Sequence, residues 1–81
     1  MTQEEIFTIL TSVFAEIIPD VDTSGITLED SLRDLGANSI DRADIITDTM
    51  EQAGVSLPMV SFADAKSIGD IVRIIAAGSA S

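Results

Sequence analysis

An apolar stripe at helical spacing over the first seventeen residues is the feature that most constrains this chain. Apolar residues recur at i, i+3, i+4, i+7, i+8 and i+11, along one side of a helix: Ile6, Ile9, Leu10, Val13, Phe14 and Ile17. Thr2 and Glu5 form a capping-box pattern ahead of it, and Pro19 stops the helix. The pattern predicts a helix over 3–18 whose apolar side must be covered by other elements.

Between Pro19 and Asn38 the helical period lapses, although the chain stays partly apolar. Turn-forming residues occupy the first part of this segment: Asp20, Asp22, Ser24 and Gly25. Apolar residues that could anchor it to a core follow: Ile26, Leu28, Leu32 and Leu35. A short helical turn over 28–33 fits the pattern. So long a loop in so small a domain is more often functional than idle.

A second helix is predicted from Ser39 to Ala53, with Gly54 as the residue that ends it. One broad side of this helix is apolar: Ile45, Ile46, Met50 and Ala53. The opposite side carries an acidic stripe within an arc of about 80°: Asp41, Asp44, Asp48 and Glu51. Ile40 lies at its rim. The stripe is either a solvated surface or a docking surface for a basic partner. The second alternative gains weight because no lysine on the stripe relieves the repulsion between its like charges.

The last third of the chain predicts two further helices. Pro58 opens a short segment through Val60, Phe62 and Ala65. Ser67 can cap a final helix whose core side is Ile68, Ile71, Val72 and Ile75. Gly78 is expected to end that helix, and 78–81 to form a frayed tail. The chain is therefore predicted to be one all-α domain over 1–81, a four-helix bundle of three long helices and one short one, with the long loop between helices 1 and 2.

Composition excludes most classes of function. The chain has 81 residues, 14 acidic and 4 basic side chains, a formal net charge of −10, and no Cys or His. So small a core leaves little room for a buried cleft, and the usual thiol nucleophile and imidazole base are missing, so we expect no catalysis. The negative field disfavours nucleic acid. No apolar run reaches membrane length, and the acidic start is not a signal peptide. We expect a cytoplasmic monomer.

Two motifs resemble chemical sites and fail on inspection. Residues 20–25 begin like a calcium loop, but the twelfth position, where a bidentate Glu is needed, is Ser31, so we expect no metal site. Ser39 is not the nucleophile of a hydrolase, because Gly is missing two residues later and the chain has no His.

Ser39 allows two interpretations. Asn38 or Ser39 could be an ordinary N-cap of the second helix. Alternatively, the helix dipole and free amides at this end would favour a phosphodiester on the Ser39 hydroxyl. Arg42 could then pair with that phosphodiester, contact a partner, or simply be solvated beside Asp41.

Residues 30–41, DSLRDLGANSID, resemble the prosthetic-group segment of acyl carrier proteins, in which a D-S-x-x-x-L-G pattern leads to the modified serine. The order of elements resembles that family over all 81 residues. The resemblance implies that Ser39 bears 4′-phosphopantetheine, delivered from coenzyme A by a phosphopantetheinyl transferase. It also implies a recognition helix that basic enzyme surfaces bind, formed by Asp41, Asp44, Asp48 and Glu51, with Ile40 as an exposed apolar contact beside the arm. Arg42, judged from its place next to Ser39, is a further candidate for contact with a partner.

Asn38 and Ile40 depart from the usual Asp and Leu of the family. Residues 36–45, GANSIDRADI, and 65–70, AKSIGD, are instead similar to free-standing donor carriers of β-branching polyketide cassettes. That similarity implies three partners: an acyltransferase, a decarboxylating ketosynthase that turns malonyl into acetyl, and a 3-hydroxy-3-methylglutaryl (HMG)-synthase-like enzyme that receives it. The alternatives are a general polyketide or fatty-acid carrier, a peptidyl carrier, and an unmodified acidic helical adaptor.

Overall fold

The computed structural model describes residues 1–79, and every regular element in that range is helical. Three α-helices, α1 to α3, and two short 3-10 turns follow one another: α1 Gln3–Ile17, a turn at Thr23–Gly25, α2 Ser39–Ala53, a turn at Met59–Phe62, and α3 Ile68–Ser79. The predicted all-α class is confirmed. No helix in the described range is long and apolar enough to cross a bilayer.

Helix α1 forms as its end signals predict. The Thr2 hydroxyl accepts from the Glu5 N–H at 3.1 Å, and the Thr2 N–H donates to Glu5 Oε1 at 2.9 Å. The Thr2 N–H, and after it the Thr2 side chain, bond the Glu5 carboxylate and hold its pKa below the ordinary value. The helix ends one residue earlier than predicted, and the Ile18 N–H closes it on the Phe14 carbonyl at 2.8 Å.

The core is built around α1, which packs against both α2 and α3. Its largest fully buried side chains come from these three helices: Phe14, Ile6, Leu10, Ile45, Ile68, Ile75, Val13 and Val72. Burying each such side chain contributes about 1.5–3 kcal/mol. Thr49 is also fully buried, and its hydroxyl donates to the Ile45 carbonyl at 2.7 Å, so no unpaired polar group results.

The long loop is held by both side chains and backbone. Ile26 and Leu32 are buried as predicted, and Leu35 is half-buried. The expected burial of Leu28 is wrong: its side chain is 42% exposed. Its carbonyl instead accepts from the Gly69 N–H at 2.8 Å, because the first turn of α3 has amides without a helical partner.

One local prediction in the loop needs correction. The helical turn expected over 28–33 lies at 32–36 instead, where the Ala37 N–H donates to the Leu32 carbonyl at 3.0 Å. The turn-forming residues at the start of the loop form a 3-10 turn at Thr23–Gly25. Asp22 caps it by accepting from the Ser24 hydroxyl at 2.7 Å and from its N–H at 2.9 Å, which lowers the Asp22 pKa. Asp22 thus serves as a turn residue.

The start of α3 is the capping arrangement that the sequence predicts. The Ser67 hydroxyl accepts from the Asp70 N–H at 3.1 Å. The Asp70 carboxylate accepts from the N–H groups of Lys66 and Ser67, and these bonds lower its pKa. Asp70 also pairs with Arg73.

The predicted end of α3 is wrong. The helix continues through Gly78 to Ser79, so these two residues are not frayed, while 80–81 lie outside the described residues. Gly78 is a close-approach position, since a Cβ there would lie 2.9 Å from Leu57 Cδ1. The predicted short helix is only the 3-10 turn at Met59–Phe62. The bundle therefore has three α-helices and this short turn.

Candidate functional site

Asn38, rather than Ser39, caps α2. Asn38 Oδ1 accepts from the Asp41 N–H at 2.8 Å, and the Asn38 N–H donates to Asp41 Oδ2 at 3.5 Å. Ser39 is the first residue of the helix and is exposed. Its hydroxyl is therefore released from capping, which removes the ordinary structural explanation for a serine at this position.

Replacing Asn38 with alanine is expected to destabilise the chain by about 1 kcal/mol, because the α2 cap is lost. Ser39→Ala, by contrast, should stay within about 0.5 kcal/mol of the wild type, since it removes no cap. Urea unfolding followed by helical circular dichroism measures both. A larger loss for Ser39→Ala than for Asn38→Ala would contradict the assignment of the cap.

The backbone before Ser39 is firmly held. Gly36 has a φ of +100°, a conformation that favours glycine, and Ala37 behind it is buried at 3% exposure. Ile45 and Ile46 hold the following helix in the core. A rigid base thus presents the Ser39 side chain to solvent.

Arg42 contacts the candidate site directly. Its Nη2 donates to Ser39 Oγ at 3.3 Å, and the side chain is half-buried. Of the interpretations open from the sequence, an intramolecular contact is the one observed. The guanidinium and the start of α2 together favour a negative charge at the Ser39 hydroxyl.

The acidic stripe lies on the solvent side of α2. Asp44 and Glu51 are exposed, whereas Asp41 and Asp48 are partly covered. Within residues 1–79 none of the four is in an ion pair, because the single pair joins Asp70 and Arg73.

Exposed apolar residues lie at two places, one at the start of α2 and one on the second 3-10 turn. Ile40, next to Ser39, is 73% exposed, as its place at the rim predicts. Val60, on the second 3-10 turn, is 76% exposed and Met59 is 43% exposed. The sequence pattern does not indicate that these two residues are exposed, because it places Val60 in a short helical segment together with Phe62.

A groove of about 480 Å³ opens beside the start of α2. The loop, α2, the segment before α3 and α3 itself contribute its lining: Ser31, Leu32, Arg33, Asp34, Arg42, Ala65, Lys66 and Ile71. Nothing in the sequence pattern indicated this grouping, since its members lie far apart along the chain.

The family model of the phosphopantetheine attachment site matches residues 8–75. The acyl carrier protein AcpK of polyketide biosynthesis in Bacillus subtilis strain 168 is 33% identical over 75 residues, covering 93% of this chain and 92% of that protein. This chain belongs to the acyl carrier protein family. The acyl carrier protein of Thermotoga maritima is 36% identical over 75 residues, covering 91% of each.

The carrier fold is confirmed by a solved structure. One chain in the crystal structure of the curacin biosynthetic pathway HMG synthase in complex with acetyl donor-ACP superposes with a TM-score of 0.86 and 35% identity. The match covers 95% of this carrier and 99% of that chain. The resemblance to carriers of β-branching cassettes is thereby confirmed.

The cofactor of the family, 4′-phosphopantetheine, fits the residues at the start of α2. Ser39 has an exposed hydroxyl that does not cap the helix, and the Arg42 guanidinium lies within hydrogen-bond distance of it. The helix N-terminus adds partial positive charge for a phosphodiester. Within residues 1–79, no carboxylate bonds the Ser39 hydroxyl, and the exposure of Ser39 leaves room for attachment.

Proposed function

We propose that this carrier works in polyketide biosynthesis with 4′-phosphopantetheine on Ser39, and that it donates acetyl to an HMG-synthase-like enzyme during β-branching. The observation that carries the proposal is the Ser39 hydroxyl, which is exposed, freed from capping by Asn38 and contacted by Arg42. Similarity over nearly the full length to an acetyl-donor carrier structure and to a polyketide carrier supports the finer assignment.

The chain itself performs no catalysis in this proposal. Bound phosphopantetheine supplies a thiol that holds the acyl unit as a thioester. Ser39 anchors that arm on a rigid helix end, which keeps the acyl unit at high effective concentration near any enzyme docked on the carrier. The absence of Cys and His from the sequence agrees with a carrying role.

The acidic stripe selects the partners. Basic surfaces on the partner enzymes would bind its four acids in turn: Asp41, Asp44, Asp48 and Glu51. The partners are a phosphopantetheinyl transferase, an acyltransferase, a decarboxylating ketosynthase and an HMG-synthase-like enzyme. Complementary charge accelerates such encounters and discriminates between partners. Ile40 provides an exposed apolar contact next to Ser39.

Acetyl transfer tests the donor role. The carrier is loaded with labelled acetyl and mixed with an HMG-synthase-like enzyme and a β-ketoacyl acceptor carrier, and label on the acceptor is followed by mass spectrometry. Acetyl-loaded Thermotoga maritima carrier is the matched comparison. We expect this carrier to be preferred by tenfold or more, equal to about 1.4 kcal/mol.

Equal transfer from both carriers would favour a general polyketide or fatty-acid carrier. Preferred loading with an aminoacyl unit would indicate a peptidyl carrier. A folded chain that accepts no arm at all would leave the unmodified adaptor as the function to pursue.

A further inference from the structure

Three of the chain's four basic side chains line the groove beside Ser39: Arg33, Arg42 and Lys66. Only one carboxylate, Asp34, lines it as well. In a protein of net charge −10, cations have many acidic side chains available as partners. The fourth cation, Arg73, does pair with an acid, whereas within residues 1–79 the other three form no ion pair. The lining side chains of the groove therefore carry a net positive charge, on a protein that is acidic as a whole.

The groove wall has an apolar part and a charged part. Leu32 and Ile71 are buried side chains that form apolar parts of the groove wall. The cations Arg33 and Lys66 are exposed, so both can reach a group that enters the groove from solvent. The volume of about 480 Å³ lies within the usual range for small-molecule sites.

Arg42 connects the groove to the attachment site. It lines the groove and also donates to Ser39 Oγ at 3.3 Å. Arg42 thus places the anchoring point of an arm on Ser39 next to the groove. A phosphodiester at Ser39 would engage Arg42, which leaves Arg33 and Lys66 for a second negative group.

We propose that Arg33 and Lys66 hold the free carboxylate of a malonyl unit carried on the Ser39 arm. This proposal rests on the proposed function, because it requires the arm. A guanidinium binds a carboxylate through paired hydrogen bonds, and an ammonium adds a point charge. Decarboxylation breaks the bond between the carboxylate and the methylene, releases CO₂ and places a solvent proton on the methylene. The acetyl unit that remains is neutral and forms no ion pair with Arg33 or Lys66, so it is released from the groove for transfer.

Five forms of the protein test this site: unmodified, with the arm alone, and with acetyl, acetoacetyl or malonyl on the arm. Acetoacetyl is the matched neutral control, since a methyl ketone replaces the carboxylate at nearly equal size. Intact mass establishes loading in each case. Amide NMR spectra are expected to change around 31–34 and 65–66 with malonyl, and not with acetoacetyl.

Titration of a ¹³C-labelled malonyl carboxylate at low ionic strength provides a second readout. Nearby cations favour the ionised form, so its pKa should be lower by about 1 unit on the wild type than on Arg33→Gln/Lys66→Gln. Both replaced side chains are exposed and form no hydrogen bond among residues 1–79, so the variant should fold. Arg73→Gln removes one positive charge outside the groove, compared with two in the double variant, and should leave the carboxylate pKa unchanged.

The outcomes separate the two proposals. A chain that gains no arm overturns both. A loaded chain with equal malonyl pKa values on the wild type and the double variant overturns the carboxylate site alone. If the arm alone already produces all the amide NMR changes around the groove, the groove binds the phosphodiester. That result would also overturn the carboxylate site.

Discussion

Replacing Ser39 with alanine is expected to abolish phosphopantetheine attachment completely while leaving the fold intact. Attachment forms a bond between the Ser39 oxygen and the phosphorus of coenzyme A, and alanine has no oxygen to form it. The fold should persist because Asn38 caps α2 and the Ser39 side chain is exposed. Intact mass is measured after incubation with coenzyme A and a broad-specificity phosphopantetheinyl transferase. The wild type should gain one phosphopantetheine and the variant none.

Ser12→Ala is the matched control, since it removes another exposed helical serine hydroxyl. It should be loaded like the wild type. Unfolding curves for all three proteins show that a missing mass gain is not caused by loss of structure. A mass gain on Ser39→Ala would place the arm on another residue and refute the site.

Reversing two charges of the acidic stripe, in Asp44→Lys/Glu51→Lys, is expected to weaken docking to an HMG-synthase-like partner. Each exposed charge pair contributes about 0.2–1 kcal/mol. Reversal replaces attraction by repulsion, so the double variant should lose about tenfold in affinity, or 1.4 kcal/mol. Added salt should weaken the wild type and affect the variant less, because screening acts on the same interaction. Affinity is measured by titration calorimetry at two salt concentrations.

Glu16→Lys/Asp20→Lys provides the matched control. It produces the same change in net charge at two exposed acids that are not part of α2, one on α1 and one after it. A stripe that docks partners predicts a much smaller loss for this pair. Equal losses in both double variants would show that total charge, rather than the stripe, governs the encounter.

Much of the fold could be predicted because its signals are local. The caps at Thr2 and Ser67 each act through residues three positions away, and both predictions are confirmed. Gly54 ends α2 in the left-handed conformation, as its position predicts. The apolar spacing of α1 likewise predicts which side chains are buried.

The wrong predictions concern residues whose exposure or conformation depends on contacts with residues distant in the sequence. Leu28 is exposed because its backbone, rather than its side chain, is tied to Gly69 on α3. Gly78 continues α3 instead of ending it, and the absence of a Cβ at this position leaves room for the Leu57 side chain that packs close against it. Neither contact leaves a periodic trace in the sequence.

The same division applies to the site. The sequence by itself determined that an exposed serine opens an acidic helix after the long loop, because helix starts depend on interactions within a few residues. Only the tertiary structure decided that Arg33, Arg42 and Lys66 meet in one groove beside Ser39. That meeting depends on long-range closure, in which the Asp30 carbonyl accepts from the Ile68 N–H at 2.8 Å and ties the loop to the start of α3.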